Sequence, residues 1–273
     1  MIPPLRPLIF LAILWLSAGC EIDRVLTIKP DGSGQISERF LAARDSYLDK
    51  AAAVAPDGNG GAPGPRALPV GLPLPTAEFI AKRAAEFGEG VELVSFKKIE
   101  DGDMMGYEAA FEFPDVTKIH ADVFLQQSTG NGPDGKPLPP DAARNFQFTK
   151  GDVSELRIPL KFAQKKKEEI PTTALPSPDD DPKQREAMLN AIKHYDTRMA
   201  IRVQGKIEET NSHFREDNLV VVNEMNMKGL FADPKYAQEI KDVEAGKTQP
   251  AEPPKDDRYI KDESVDELRI RFR

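Results

Sequence analysis

The sequence predicts an α+β fold: a largely antiparallel β-sheet built from hairpins, packed against two or three helices and interrupted by long Pro/Gly-rich loops. Three observations lead there. Apolar and polar residues alternate in paired runs on either side of turn residues, the pattern of half-buried hairpin strands. Between these pairs lie two stretches, 77–87 and 182–195, with apolar residues at helical spacing. No repeat of fixed period appears, and the strands come in hairpins with helices between them.

Residues 24–40 form the first hairpin. Leu26 and Ile28 alternate with Thr27 and Lys29, Pro30 ends the strand, Asp31-Gly32-Ser33-Gly34 turns, and Ile36, Glu38 and Phe40 return. Residues 42–50 suit a short helix, and 51–75 is loop chemistry, rich in glycine and proline. Thr76 is an N-cap for a helix over 77–87, with Ile80, Ala84 and Phe87 on one face and Gly88 at its stop. Strands over 91–99 and 106–113 flank the turn Glu100-Asp101-Gly102-Asp103. Tyr107, Ala109, Phe111 and Phe113 share one face of the second strand, with Glu108, Ala110 and Glu112 on the other. Pro114-Asp115 opens a short helical stretch through Val116, Ile119, Val123 and Phe124.

A polar, proline-rich loop at 126–143 follows. Phe146 and Phe148 lead a strand whose partner carries Leu156, Ile158, Leu160 and Phe162. After the charged segment 163–181, a helix over 182–195 places Met188, Leu189, Ile192 and Tyr195 on one face, with Asp179, Asp180 and Asp181 at its positive end. The last core hairpin pairs 199–207 with 218–227, and Leu230 and Phe231 begin a short turn or helix. The domain therefore runs from 20 to 245. Residues 246–273 read as a charged, proline-rich tail in which 268–273 suit a closing strand.

The first twenty residues carry a different message. Arg6 is followed by an apolar run from Leu8 to Leu16, the small residues Ser17-Ala18-Gly19, and Cys20, the only cysteine. This is the three-part plan of a secretory signal, and its apolar run falls short of the roughly 20 residues that span a bilayer. Leu16-Ser17-Ala18-Gly19-Cys20 resembles the lipobox of bacterial lipoprotein signals, with Ser17 where that family usually has leucine. The resemblance implies removal of a signal peptide, 1–19, and lipid attachment at Cys20, which would hold the protein to the membrane. Glu21, rather than the aspartate that marks inner-membrane retention in the family, implies an outer-membrane, periplasm-facing site in a bacterial cell envelope. An ordinary cleaved signal, or an anchored helix with an incidental cysteine, is the competing reading. A first strand starting near Arg24 leaves a tether of roughly 13–14 Å.

Composition narrows the function. With Arg6 set aside, 36 basic residues face 45 acidic ones, a net charge of −9. That argues against nucleic acid and against a polybasic grip on anionic lipid. A single cysteine forbids an intramolecular disulfide. His120, His194 and His213 lack metal-ligand spacing, and Asp179 to Asp181 lacks the alternation of a calcium loop. Gly32-Ser33-Gly34 has neither the helix nor the lysine of a phosphate loop, and no Gly-x-Ser-x-Gly elbow is present. Neither a metal nor any other cofactor is expected.

The order of motifs along the mature chain resembles the LppM-type domain of bacterial envelope lipoproteins. The resemblance rests on the Asp31-Gly32-Ser33-Gly34 turn, the glycine-led strand from Gly106 to Asp115, and Gln204-Gly205-Lys206-Ile207-Glu208-Glu209-Thr210-Asn211 before an apolar strand. It implies an envelope domain able to bind lipid, glycolipid or an envelope protein partner. Tyr107, Phe111, Phe113 and Met225 would line an apolar ligand site, or else pack as ordinary core. The expectation is thus a non-catalytic binding or structural module. The alternative is an envelope enzyme whose carboxylates converge only in three dimensions.

Overall fold

The computed structural model describes residues 20–44, 74–125, 145–160, 193–244 and 257–273. The signal segment 1–19, most of the loops expected at 51–75, 126–143 and 163–181, and nearly all of the helix expected over 182–195 lie outside them.

Strands dominate. In chain order they are β1 (Cys20–Ile28), β2 (Gly34–Ala43), β3 (Glu92–Asp101), β4 (Met104–Phe113), β5 (Gln147–Thr149), β6 (Ser154–Pro159) and β7 (Asp196–Val203). They continue with β8 (Ile207–Thr210), β9 (Arg215–Glu216), β10 (Leu219–Asn226), β11 (Ile260–Asp262) and β12 (Glu267–Phe272). The helices are α1 (Ala77–Phe87), the four-residue α2 (Ala121–Phe124), α3 (Met227–Ala232) and α4 (Ala237–Glu244). A 3-10 turn at Val116–Lys118 precedes α2.

This corrects the α+β expectation. The fold is mostly β, and its main sheet is mixed, with one parallel pair among antiparallel ones. Eight strands run in the order β11-β10-β7-β1-β2-β4-β3, with β9 on β10, and β1 pairs with β7 in parallel. A second sheet has the order β5-β6-β12-β8. Hairpin reasoning missed both features because each joins strands far apart in sequence: β1 meets β7 across a separation of 175 residues at the Asp23–Arg198 contact. Residues 42 and 43, expected to begin a helix, instead end β2 opposite Met105 and Met104.

Local chemistry accounts for the elements that were legible. The β1–β2 turn needs Gly32, at φ +90°, while Asp31 accepts from the Ser33 amide (2.9 Å) and hydroxyl (2.7 Å). Thr76 caps α1 by accepting from the Phe79 amide at 3.1 Å, and Ile80, Ala84 and Phe87 form its buried face. Past Val203, Gly205 at φ +137° breaks the strand, so Ile207 opens β8 in the other sheet instead of extending β7.

One face of the large sheet carries two apolar clusters. Leu26, Ile28, Ile36, Phe111, Phe113, Ile201 and Val203 share the larger with α1 and with Leu156, Ile158, Leu268, Ile270 and Phe272 of the second sheet. The smaller lies at the opposite end of β1, around Cys20. A pair of charges, Arg24 and Glu38, stands between the two along β1 and β2.

Candidate functional site

Cys20 is the first residue of β1, paired across the sheet with Ala42. The expected tether is therefore absent: the strand starts at the cysteine itself. Cys20 is only 5% exposed and sits with Ala42, Tyr195, Met225, Met227, Leu230 and Tyr236, fringed by Ile22, Phe40, Phe231 and Tyr259. Burial pushes its thiol up to about 12, and the nearby Asp196 and Glu21 add to the effect. A free thiol here would stay protonated at neutral pH and be a poor nucleophile.

On the other side of the same strands runs an open groove of about 350 Å³, lined chiefly by charge: Glu21, Asp23, Arg39, Asp196, Arg198 and Lys228. Arg39 pairs with Glu21 at 2.9 Å and Arg198 with Asp23 at 3.0 Å. Such half-exposed pairs each stabilise by about 0–1 kcal/mol, so the groove is a hydrated charged seam. Asp196 accepts from the Lys228 amide at 3.1 Å, tying β7 to the start of α3. Asn226 caps that helix from its other flank, accepting from the Gly229 amide at 2.6 Å.

Three of the four apolar candidates share one cluster, and Met225 stands apart. Phe111 and Phe113 lie in the larger cluster, where the Phe111 and Phe87 rings stand 5.0 Å apart. Tyr107 precedes them along β4 in the same cluster, and its hydroxyl belongs to a polar network. Met225 lies in the smaller cluster with Cys20. Phe40, stacked on Tyr107 at 5.7 Å, touches the margin of both clusters.

The polar network was not foreseen. Arg24 and Glu38 face each other in register and are 2% and 3% exposed. Arg24 donates from Nε to Glu38 Oε2 at 2.7 Å, again from Nη2 to the same oxygen, and from Nη1 to the Phe124 carbonyl at 2.8 Å. Arg83, from α1, donates to Glu38 Oε1 at 2.7 Å, as does the Tyr107 hydroxyl, which also accepts from Arg83. The Phe87 ring lies 5.1 Å below the Arg24 guanidinium. Burial alone would raise the Glu38 carboxyl, but Arg24, Arg83 and the hydrogen bonds outweigh it and hold it below the usual carboxylate range. The Tyr107 phenol is pushed up by burial and by the Glu38 charge. A carboxylate held this firmly by two guanidinium groups and a phenol is a clamp between β1, β2, β4, α1 and α2. It carries no group poised to take or give a proton near neutral pH.

The histidines stand apart. His120 approaches the Glu86 carbonyl at 3.1 Å, and His194 is exposed. His213 Nδ1 lies 2.7 Å from Glu263, which also accepts from the Ser212 hydroxyl and the His213 amide, each at 2.8 Å. Among the described residues, no three His, Cys, Asp or Glu side chains come together as a metal site. No helix among them is long and apolar enough to cross a membrane.

No family model and no curated protein matches this chain. Among solved structures, the NMR structure of the folded domain of LppM from Mycobacterium tuberculosis aligns over 93% of this chain and 89% of its own. The identity is 11% and the TM-score 0.30, a resemblance too loose to establish a common fold.

Proposed function

We propose that this chain is a lipid-anchored protein of a bacterial cell envelope, held by acyl chains on Cys20, whose β-domain works by contact with other molecules. The observation that carries this reading is the lone cysteine directly after a short apolar run and three small residues. Two or three acyl chains, at about 0.8 kcal/mol per buried methylene, give stable anchoring. Glu21 supports an outer-membrane, periplasm-facing position. The packed surroundings of Phe111 and Phe113 support a working surface on the outside of the domain, where a lipid, glycolipid or envelope protein would be met, rather than a cargo chamber inside it.

Metabolic labelling with a clickable palmitate tests the anchor. The wild type is expected to take up label and fractionate with membranes, and Cys20→Ser to lose both. Equal labelling and equal fractionation of the two would refute the reading.

A further inference from the structure

Three cation–aromatic pairs stand around the Cys20 end of the large sheet. Lys193 lies 5.8 Å from the Phe231 ring centroid, Lys235 4.9 Å from that of Tyr236, and Arg258 5.0 Å from that of Tyr259. Phe231, Tyr236 and Tyr259 all pack on the cluster that holds Cys20, and the Tyr236 and Tyr259 rings meet edge-on at 6.3 Å. The other cation–aromatic contacts in the described residues, Arg24 and Arg83 with Phe87, belong to the buried clamp. Lys228, 71% exposed, stands at the same end, 4.0 Å from Glu21.

We propose that this end, formed by the start of β1, by α3, and by the Lys235–Tyr236 and Arg258–Tyr259 pairs, lies against the membrane with the partly exposed Phe231 and Tyr259 rings and the cations around them in the phospholipid headgroup layer, Tyr236 being buried behind them. The proposal rests on the lipid anchor at Cys20. Two features of the surface select a bilayer as its occupant. Because β1 begins at Cys20, whose side chain the smaller cluster encloses, an acyl group on that sulfur has to leave through the margin of the cluster with no free residues between membrane and sheet, so the neighbours of Cys20 are carried to the headgroups with it. Those neighbours also combine an apolar ring with a cation laid over it, which suits a layer that is apolar below and ionic above. The local charge is mixed: Lys193, Lys228, Lys235 and Arg258 stand among Glu21, Asp196 and Asp233, and Arg258 pairs with Asp233 at 3.2 Å. That balance fits zwitterionic headgroups, which offer both signs, better than a purely anionic sheet.

The far end of the sheet supplies the control. Gln204 donates to the Ile28 carbonyl at 2.7 Å, so the neighbouring Lys206, itself exposed, marks the end of β1 remote from Cys20. Nine residues of strand put it roughly 27 Å away.

The test uses the full acylated chain purified from membranes and reconstituted in phosphatidylethanolamine/phosphatidylglycerol vesicles. With the Cys20 sulfur blocked by lipid, Lys228→Cys and Lys206→Cys each provide a single thiol for a nitroxide label. Collision rates with oxygen, which concentrates in lipid, and with a water-soluble nickel chelate then report depth. The expected result is a gain in oxygen collisions and a loss of nickel collisions at position 228 relative to 206. Equal, water-like values at both positions in chains that float with the vesicles would overturn the seating while leaving the anchor intact. Low collision rates with both agents at 228 would show a protein partner or a second copy there, and would also overturn it. A chain that carries no acyl group and does not float removes the anchor and the seating together.

Discussion

Replacing Glu38 by glutamine keeps the size and shape of the side chain and removes the charge on which Arg24 and Arg83 converge. Arg24 is the critical loss: it is 2% exposed, so water cannot replace the carboxylate. Breaking a buried ion pair by deleting one partner costs about 3–5 kcal/mol. For a domain of this size each kcal/mol shifts Tm by about 2–4 °C, so Glu38→Gln is expected to melt roughly 6–20 °C below the wild type. Removing both charges, as Arg24→Met with Glu38→Leu, should recover part of that loss, because the fully enclosed Arg24 charge goes with its partner, while Arg83, 23% exposed, keeps Glu86 at 3.8 Å. The pH dependence has a definite sign. The Glu38 carboxyl is held below its unfolded value, so its contribution is complete above that value and is lost as pH falls through the lower folded one. Urea denaturation of the three proteins, fitted for midpoint and slope, measures the effect. A Glu38→Gln midpoint within about 1 kcal/mol of the wild type, or a double variant no more stable than the single one, would refute the clamp.

Three smaller changes follow from the same coordinates. Thr76→Ala removes the acceptor for the Phe79 amide and should cost about 1 kcal/mol in denaturation, with Thr76→Ser close to neutral. Gly34→Ala would set a methyl carbon 2.0 Å from the Thr27 carbonyl oxygen and 2.6 Å from the Phe113 ring, so β2 must shift; a loss of about 1–3 kcal/mol or more is expected by the same assay. Burial would raise the Glu263 carboxyl, but the bonds from His213 and Ser212 outweigh it and hold it low. Its grip on the 212–214 segment is thus present above the ordinary glutamate range and lost as pH falls through the depressed value. Hydrogen exchange should show the protection factor of the His213 amide dropping over that fall while that of Ile201, in the centre of the sheet, holds.

The parts legible in the sequence were those governed by neighbours along the chain. The Asp31-Gly32 turn sets the β1–β2 pairing, the alternation of Tyr107, Ala109, Phe111 and Phe113 gives the inner face of β4, and Thr76 and Gly88 bound α1. What failed were partnerships between distant segments. Nothing near Leu26 announces Ile201 as its parallel neighbour, and nothing near Leu156 announces Ile270. Counting hairpins therefore yielded one antiparallel sheet with helices where two sheets share a core. The clamp, by contrast, had a readable signal. The same turn register that pairs Leu26 with Ile36 pairs Arg24 with Glu38 on the inward face, and opposite charges at facing inward positions of a hairpin mark a buried pair. The smaller cluster around Cys20 had no such signal, since it draws Tyr195, Met227, Leu230 and Tyr236 from separate elements.

The position of β12 bears on how such a protein reaches its final state. Among the described residues it alone links β6 and β8, and Leu268, Ile270 and Phe272 are completely enclosed. Until Glu267–Phe272 arrives, the second sheet is two separate pieces and the shared core lacks one wall. β1 likewise waits for Asp196–Val203 before both its sides are paired. Assembly therefore cannot proceed stepwise from the Cys20 end. A chain emerging N-terminus first would remain open, and exposed to proteases and chaperones, until Glu267–Phe272 had emerged.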